Sequence, residues 1–359
     1  MSARGRALRA GALGLGVAGL LALPTGPAPS AAAVDQPCAT MGTAALEIPA
    51  VDAPPLVLAA GDRAVGLRAP WGLVSLADGS TLVSERDSGR IVRIDSSGTV
   101  RTLTRIAESA PAGEGGLLGI AIDPTATWVS AYVTTATDNR VVRLALDEPD
   151  GAREENLTGM PTADIHNGGR LAFGPDGNLY VATGDAMVPE SAQDPASLAG
   201  KILRIDATGG IPGGNPFAGS PVWSLGHRNV QGLAFDSHGR LWATEFGTDK
   251  ADELNLIEAA GNYGWPIVEG AGGDPATYVD PKAQWSPTSL ASPSGLAILD
   301  DVAYVASLRG KVLWQVPLRG TTAAMPRALD LGNLGRLRTV EANPLGGLWL
   351  MTSNTDGRG

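Results

Sequence analysis

The most constraining feature of this sequence is a repeat. An apolar strand-like run is followed by a turn of Asp, Pro or Gly type, a second strand, another turn and a third strand. Copies begin at Trp71, Leu118, Gly169, Gln231, Ser294 and Leu337. That places them about 45 to 65 residues apart, the spacing of propeller blades. Turns such as Ala77-Asp78-Gly79-Ser80 and Asn343-Pro-Leu-Gly-Gly347 join the strands as hairpin turns do. No long amphipathic helical pattern separates them, which argues against a parallel α/β fold. Glycine (48) and proline (26) are abundant but form no low-complexity tract, so the chain reads as turn-rich and globular. The pattern predicts an all-β, six-bladed β-propeller over residues 67–359, preceded at 34–66 by an N-terminal arm and the start of the propeller. A degenerate seventh blade and two packed β-domains are the alternatives. The sixth copy ends at Asn354-Thr-Asp-Gly-Arg-Gly359 without a third strand. Either N-terminal sequence closes the ring or the chain stops short.

Residues 1–33 read as a signal peptide. Arg4, Arg6 and Arg9 form a basic start, and the apolar run from Ala10 to Pro24 is short for a bilayer span. Ala31-Ala32-Ala33 supplies a small-residue cleavage pattern. A G-x-G-x-x-G match from Gly14 to Gly19 lies inside this run, with no strand before it and no acidic partner at the right distance. It therefore reads as signal composition rather than a dinucleotide site. These features predict a secreted or periplasmic protein with no membrane insertion after cleavage.

Loss of the three leader arginines, with no acids, takes the formal charge from −10 to −13. Such a surface repels nucleic acid and anionic membranes. The single cysteine, Cys38, excludes an internal disulfide and a Cys-based zinc site; it reads as a free thiol on the arm.

Polar residues that strand packing does not explain gather before the first strand of each copy. His166 lies in Asp164-Ile-His-Asn-Gly-Gly-Arg170 and His227 in Gly226-His-Arg-Asn229, each just before such a strand. His238 sits in the turn Asp236-Ser-His-Gly239 and reads as solvated. Asp185 leaves the second strand of the copy that His166 opens, so it is placed to orient His166 as a general base. Arg228, Arg309, Arg336 and Arg338 also precede or follow inner strands. Arg336 and Arg338 alternate, so in a strand they face the same way. Four arginines at equivalent positions suit a multiply anionic ligand, because guanidinium pairs bidentately with carboxylate.

The chain resembles the soluble quinoprotein aldose dehydrogenases, the glucose/sorbosone dehydrogenase family that uses pyrroloquinoline quinone (PQQ). The stretches that carry the resemblance are Gly113-Glu-Gly-Gly-Leu-Leu-Gly119, His166-Asn-Gly-Gly-Arg-Leu171, Gly226-His-Arg-Asn-Val-Gln-Gly-Leu233, Asp252-Glu-Leu-Asn255, Gly261-Asn-Tyr-Gly-Trp-Pro266, Pro293-Ser-Gly-Leu296 and Arg336-Leu-Arg338. The resemblance implies that His166 is the base, Asp185 its orienting acid and Arg228 the group beside the quinone carbonyl. It assigns Asn229, Arg309, Arg336 and Arg338 to the cofactor. It gives the carbonyls of Gly247 and Thr248 to a catalytic Ca²⁺, Glu253 and the Tyr263 carbonyl to a second Ca²⁺, and Glu114 to the sugar. The implied reaction oxidises the C1 hydroxyl of an aldose to a lactone and passes electrons to an external acceptor. Two other readings fit a propeller: a calcium-dependent lactonase or hydrolase, which needs a carboxylate-rich channel mouth, and a non-catalytic binding module.

Overall fold

The structure, a computed structural model, describes residues 18–22 and 57–358. Cys38, the arm up to residue 56 and all of the leader except 18–22 lie outside the described residues.

Five blades are built in series from consecutive antiparallel strands. The first comprises Pro70–Ser75, Thr81–Glu85, Arg90–Ile94 and Val100–Arg105. The second comprises Leu117–Ile122, Trp128–Thr134, Asn139–Ala145 and Glu154–Met160. Leu171–Phe173, Leu179–Ala182, Lys201–Ile205 and Val222–Leu225 make the third. Val230–Phe235, Leu241–Glu245, Asp252–Leu256 and Ala283–Trp285 make the fourth. The fifth has Pro293–Leu299, Val302–Ser307 and Leu313–Arg319, edged by Thr322–Ala323 and Arg327–Leu329.

The expected six blades are corrected to five. The sixth copy contributes only Leu337–Ala342 and Leu348–Thr352 and makes no blade of its own. Its sheet, which stands between the fifth and first blades, is filled out by two N-terminal strands, Ala18–Ala22 against Leu348–Met351 and Val57–Asp62 outside it. The reason lies in the last residues. After Thr352 the chain turns toward the channel: Asp356 pairs with Arg336 and Arg358 with Glu114. Polar partners at the centre hold this segment away from a third-strand position.

The blades meet through their apolar faces. One core cluster joins Trp71, Leu118, Tyr132, Leu171, Val181 and Leu203 across the first three blades. Another joins Leu82, Ile91, Leu117 and Val133 between the first two. Each such aliphatic side chain contributes about 1.5–3 kcal/mol by leaving water. Close approach of the innermost strands requires glycine. A Cβ on Gly119 would lie 2.1 Å from the Gly169 carbonyl oxygen, and one on Gly295 would lie 2.7 Å from the Thr339 Cα. Among the described residues no helix is long and apolar enough to cross a membrane.

Candidate active site

The loops that lead into the innermost strands surround a cavity of about 500 Å³, within the range usual for small-molecule sites. Trp71, His166, Arg228, Asn229, Ser292, Arg336 and Arg338 reach it from successive blades. Its floor is a plug across the channel. Trp71 lies 5.5 Å from the Arg338 guanidinium and 4.4 Å from that of Arg170, both cation–π contacts. Arg170 donates to the Gln231 carbonyl at 2.8 Å, and Arg338 donates to Gln231 Oε1 at 3.0 Å.

His166 and Asp185 are brought together as their positions predict. His166 Nδ1 is 2.8 Å from Asp185 Oδ1. The other carboxylate oxygen accepts the Trp265 indole N–H at 2.8 Å, and the Met187 amide donates to Oδ1 at 2.9 Å. Asp185 is fully buried, and its own amide donates to the Arg228 carbonyl at 2.8 Å. With Nδ1 committed to Asp185, Nε2 is the ring nitrogen left for the cavity. His166 has φ +61°, a left-handed conformation that is uncommon outside glycine. Two contacts hold it there. The His166 amide donates to Glu114 Oε2 at 2.9 Å, and Gly184 passes so close that a Cβ would lie 1.9 Å from the His166 carbonyl oxygen.

All four predicted arginines line the cavity. Arg338 is buried and has no acidic partner; its bonds go to Gln231 and Ser294. Burial lowers its pKa to about 9, with Asp356 and Glu114 opposing. Arg228 reaches only the Phe246 carbonyl, at 3.2 Å, and lies 5.4 Å from the Trp265 ring. Arg336 leans on Asp356 at 3.2 Å, while Arg309 is exposed at the rim. Three buried donor atoms on the lining have no hydrogen-bond partner: Arg228 Nε, Asn229 Nδ2 and Arg338 Nε. Buried donors without partners are costly, so this set fits an oxygen-rich anion. Seven cationic side chains line the cavity against two carboxylates, Glu114 and Asp252. That is not the carboxylate-rich mouth a calcium hydrolase needs.

Gly247 and Thr248 lie on the same wall. Behind them the buried Asp252 accepts the Gly247 amide at 3.0 Å and the Ser292 amide at 2.7 Å. Glu253 and Tyr263 lie apart, in a second, much smaller cavity shared with Glu245 and Glu269. Burial and the neighbouring Glu245 push the Glu253 carboxyl up to about 8. Unbalanced carboxyls beside carbonyls suit a hard cation. Among the described residues, however, no three His, Cys, Asp or Glu side chains are grouped to hold a metal, so calcium here would depend on backbone carbonyls. Glu114 is on the cavity lining, paired with Arg358 at 2.8 Å. These ties, above all the Arg358 side chain and the His166 amide, hold its pKa below the usual range despite burial.

His227, equivalent in sequence to His166, does not reach the cavity. It is buried between Ser224 and Glu245, each at 2.8–2.9 Å, and stacks on Tyr263. Glu245 also accepts the Arg228 amide. His238 is exposed on its turn, as expected. Sequence reasoning missed Trp71, Gln231, Asp252, Trp265 and Arg358. Gln231, Asp252 and Trp265 stand inside motifs that carried the resemblance, which was the available signal; Trp71 and Arg358 converge only through the ring.

The family described as Glucose / Sorbosone dehydrogenase matches residues 67–358. The chain is similar to the quinoprotein glucose dehydrogenase B of Acinetobacter calcoaceticus, with 34% identity over 245 residues, 57% of this chain and 51% of that protein. It is 26% identical to the aldose sugar dehydrogenase YliI of Escherichia coli over 80% of this chain and 88% of that one. Among solved structures, the PQQ-bound aldose sugar dehydrogenase of Streptomyces coelicolor superposes with a TM-score of 0.79 at 51% identity, covering 83% of this chain and 92% of that chain.

Proposed function

Because the chain belongs to the glucose/sorbosone dehydrogenase family of PQQ-dependent sugar dehydrogenases, we propose that it binds PQQ and oxidises the C1 hydroxyl of aldose sugars to lactones, with electrons passing to an external acceptor. The observation that carries this reading is the His166–Asp185 pair, 2.8 Å apart, beside a cavity where Arg228, Asn229 and Arg338 hold buried donors without partners.

Arg228, Asn229, Arg309, Arg336 and Arg338 would hold the cofactor, since the unpartnered donors of Arg228, Asn229 and Arg338 and the positive charge of the four arginines complement its three carboxylates and its quinone oxygens. Gly247 and Thr248 would supply carbonyls to a Ca²⁺ in the same cavity, and Glu253 and Tyr263 would serve a second, structural Ca²⁺. When bound, the quinone supplies the two-electron acceptor and calcium the polarising charge. The protein does the rest. His166 Nε2 takes the proton of the C1 hydroxyl. Asp185 keeps the proton on Nδ1 and stabilises the imidazolium that forms. Glu114 holds the strained His166 backbone at the sugar side of the cavity. We also propose that residues 1–33 are removed on export, so that the mature protein acts outside the cytoplasm.

Adding PQQ with and without calcium to the purified protein, followed by a dye and a panel of aldoses, tests this directly. The expected result is calcium-dependent PQQ absorbance changes and aldose-dependent dye reduction. No binding and no reduction across the panel would overturn the proposal.

A further inference from the structure

The channel has a second cavity at its other end. The same innermost strands that start around the arginine-lined site run down to a space of about 350 Å³. Most of the side chains around it are apolar, Leu73, Ile120, Phe173, Leu233, Phe235 and Leu296 among them, while about half of the exposed wall is polar. Two charged side chains break this lining: Arg170 at the plug and Glu341, two residues beyond Thr339 on its strand.

These two charges do not satisfy one another. No ion pair within 4.0 Å joins them, and the half-buried Glu341 side chain makes no hydrogen bond with another described residue. Arg170 spans the channel, using Nε on the Gln231 carbonyl at 2.8 Å and Nη2 on the Thr339 hydroxyl at 3.2 Å. Its Nη1 has no partner. Burial pushes the Glu341 carboxyl up to about 7 against the pull of Arg170. The two groups thus keep hydrogen-bonding capacity of opposite charge facing one cavity.

We propose that this cavity binds a small zwitterion with an apolar body, of the chemistry of an aliphatic or aromatic α-amino acid. The ammonium would pair with Glu341, the carboxylate with Arg170 Nη1, and the side chain would lie along Leu73, Ile120, Phe173 and Leu233. A molecule with only one of the two charges leaves the other group unpaired, and so binds less well. The site is separated from the upper cavity by Trp71 and Arg170, and the inference does not depend on the reaction proposed above.

The test uses the full chain, titrated calorimetrically with L-leucine and L-phenylalanine, and with 3-methylbutylamine and isovalerate as single-charge analogues. Saturable binding of at least one amino acid is expected, with each analogue at least about tenfold weaker. The isosteric Glu341→Gln should weaken amino-acid binding about ten- to hundredfold. Ala342→Trp, which fills the cavity from its wall, should abolish it. Far-UV spectra and PQQ titrations run in parallel report folding and the upper site separately. The proposal is overturned if neither amino acid binds saturably, if the amine or the acid alone binds as well, or if folded Glu341→Gln and Ala342→Trp bind like the parent. In the first case the cavity holds only water.

Discussion

His166 Nδ1 lies 2.8 Å from Asp185 Oδ1, and the Asp185 carboxylate is further fixed by the Trp265 indole N–H and the Met187 amide. One ring nitrogen is thereby spent on orientation and the other is free for chemistry, the arrangement that a positioned general base requires. His227 shows the contrast. Both of its ring nitrogens are spent, on Ser224 and Glu245, and it braces a loop.

His166→Asn should therefore keep PQQ binding and lose at least about a hundredfold in kcat, since positioned bases contribute about 10²–10⁴-fold. Asp185→Asn should fall between His166→Asn and the parent. His238→Asn, on its exposed turn, should match the parent. Single-turnover reduction of bound PQQ by an aldose isolates the step. A parental rate in His166→Asn would reduce His166 to a loop residue.

Arg338 offers unpartnered donor capacity inside the cavity, from a buried position with no ion pair of its own. Arg338→Ala should weaken PQQ binding about ten- to hundredfold, because a charged hydrogen bond contributes on the order of 1.5–3 kcal/mol. The far-UV spectrum should stay unchanged. Spectrophotometric PQQ titration decides, and an unaltered titration would remove this arginine from the cofactor set.

Lys201 is a buried ammonium that donates to the carbonyls of Ser191, Ala192 and Ala199 at 2.7–3.0 Å. It thereby ties down the loop that follows Asp185. Lys201→Met leaves three carbonyls without their donor and should destabilise the fold by about 2–4 kcal/mol. Burial lowers the Lys201 pKa to about 8, so the folded state releases this proton before the unfolded chain does. Between about pH 8 and the ordinary lysine value near 10.4, this group makes stability rise with pH. Below that window its charged form is disfavoured by folding. Urea midpoints of the parent minus those of Lys201→Met, measured from pH 7 to 10, should show that rise, and a flat difference would refute it.

Export makes a separate prediction. N-terminal sequencing of protein recovered outside the cytoplasm should begin near Val34. Such a chain lacks Ala18–Ala22, the strand that pairs with Leu348–Met351, and its composite sheet would have to close without it. An intact Met1 terminus on active protein would instead retain that strand and refute the leader.

Much of this protein follows from local sequence. The three inner strands of each blade are legible because apolar alternation and Asp-Gly turns are properties of neighbouring residues. So is the gathering of His166, Arg228 and Arg336 before innermost strands, since position in a repeat is position around the ring. The outer strands Val100–Arg105 and Glu154–Met160 were not legible, because a mostly exposed edge carries little apolar periodicity. The sequence also does not distinguish His166 from His227, two histidines at equivalent positions. Only the ring closure decides that one faces the cavity with a free nitrogen while the other is walled in by Glu245 and Tyr263. The blade count turned on the same kind of contact. Six copies of the repeat are present, but the last one's terminal residues are held at the channel by Arg336 and Glu114, across more than two hundred residues in the case of Arg358 and Glu114. Pairings over such separations depend on where the other blades place their loops, and no local pattern records that.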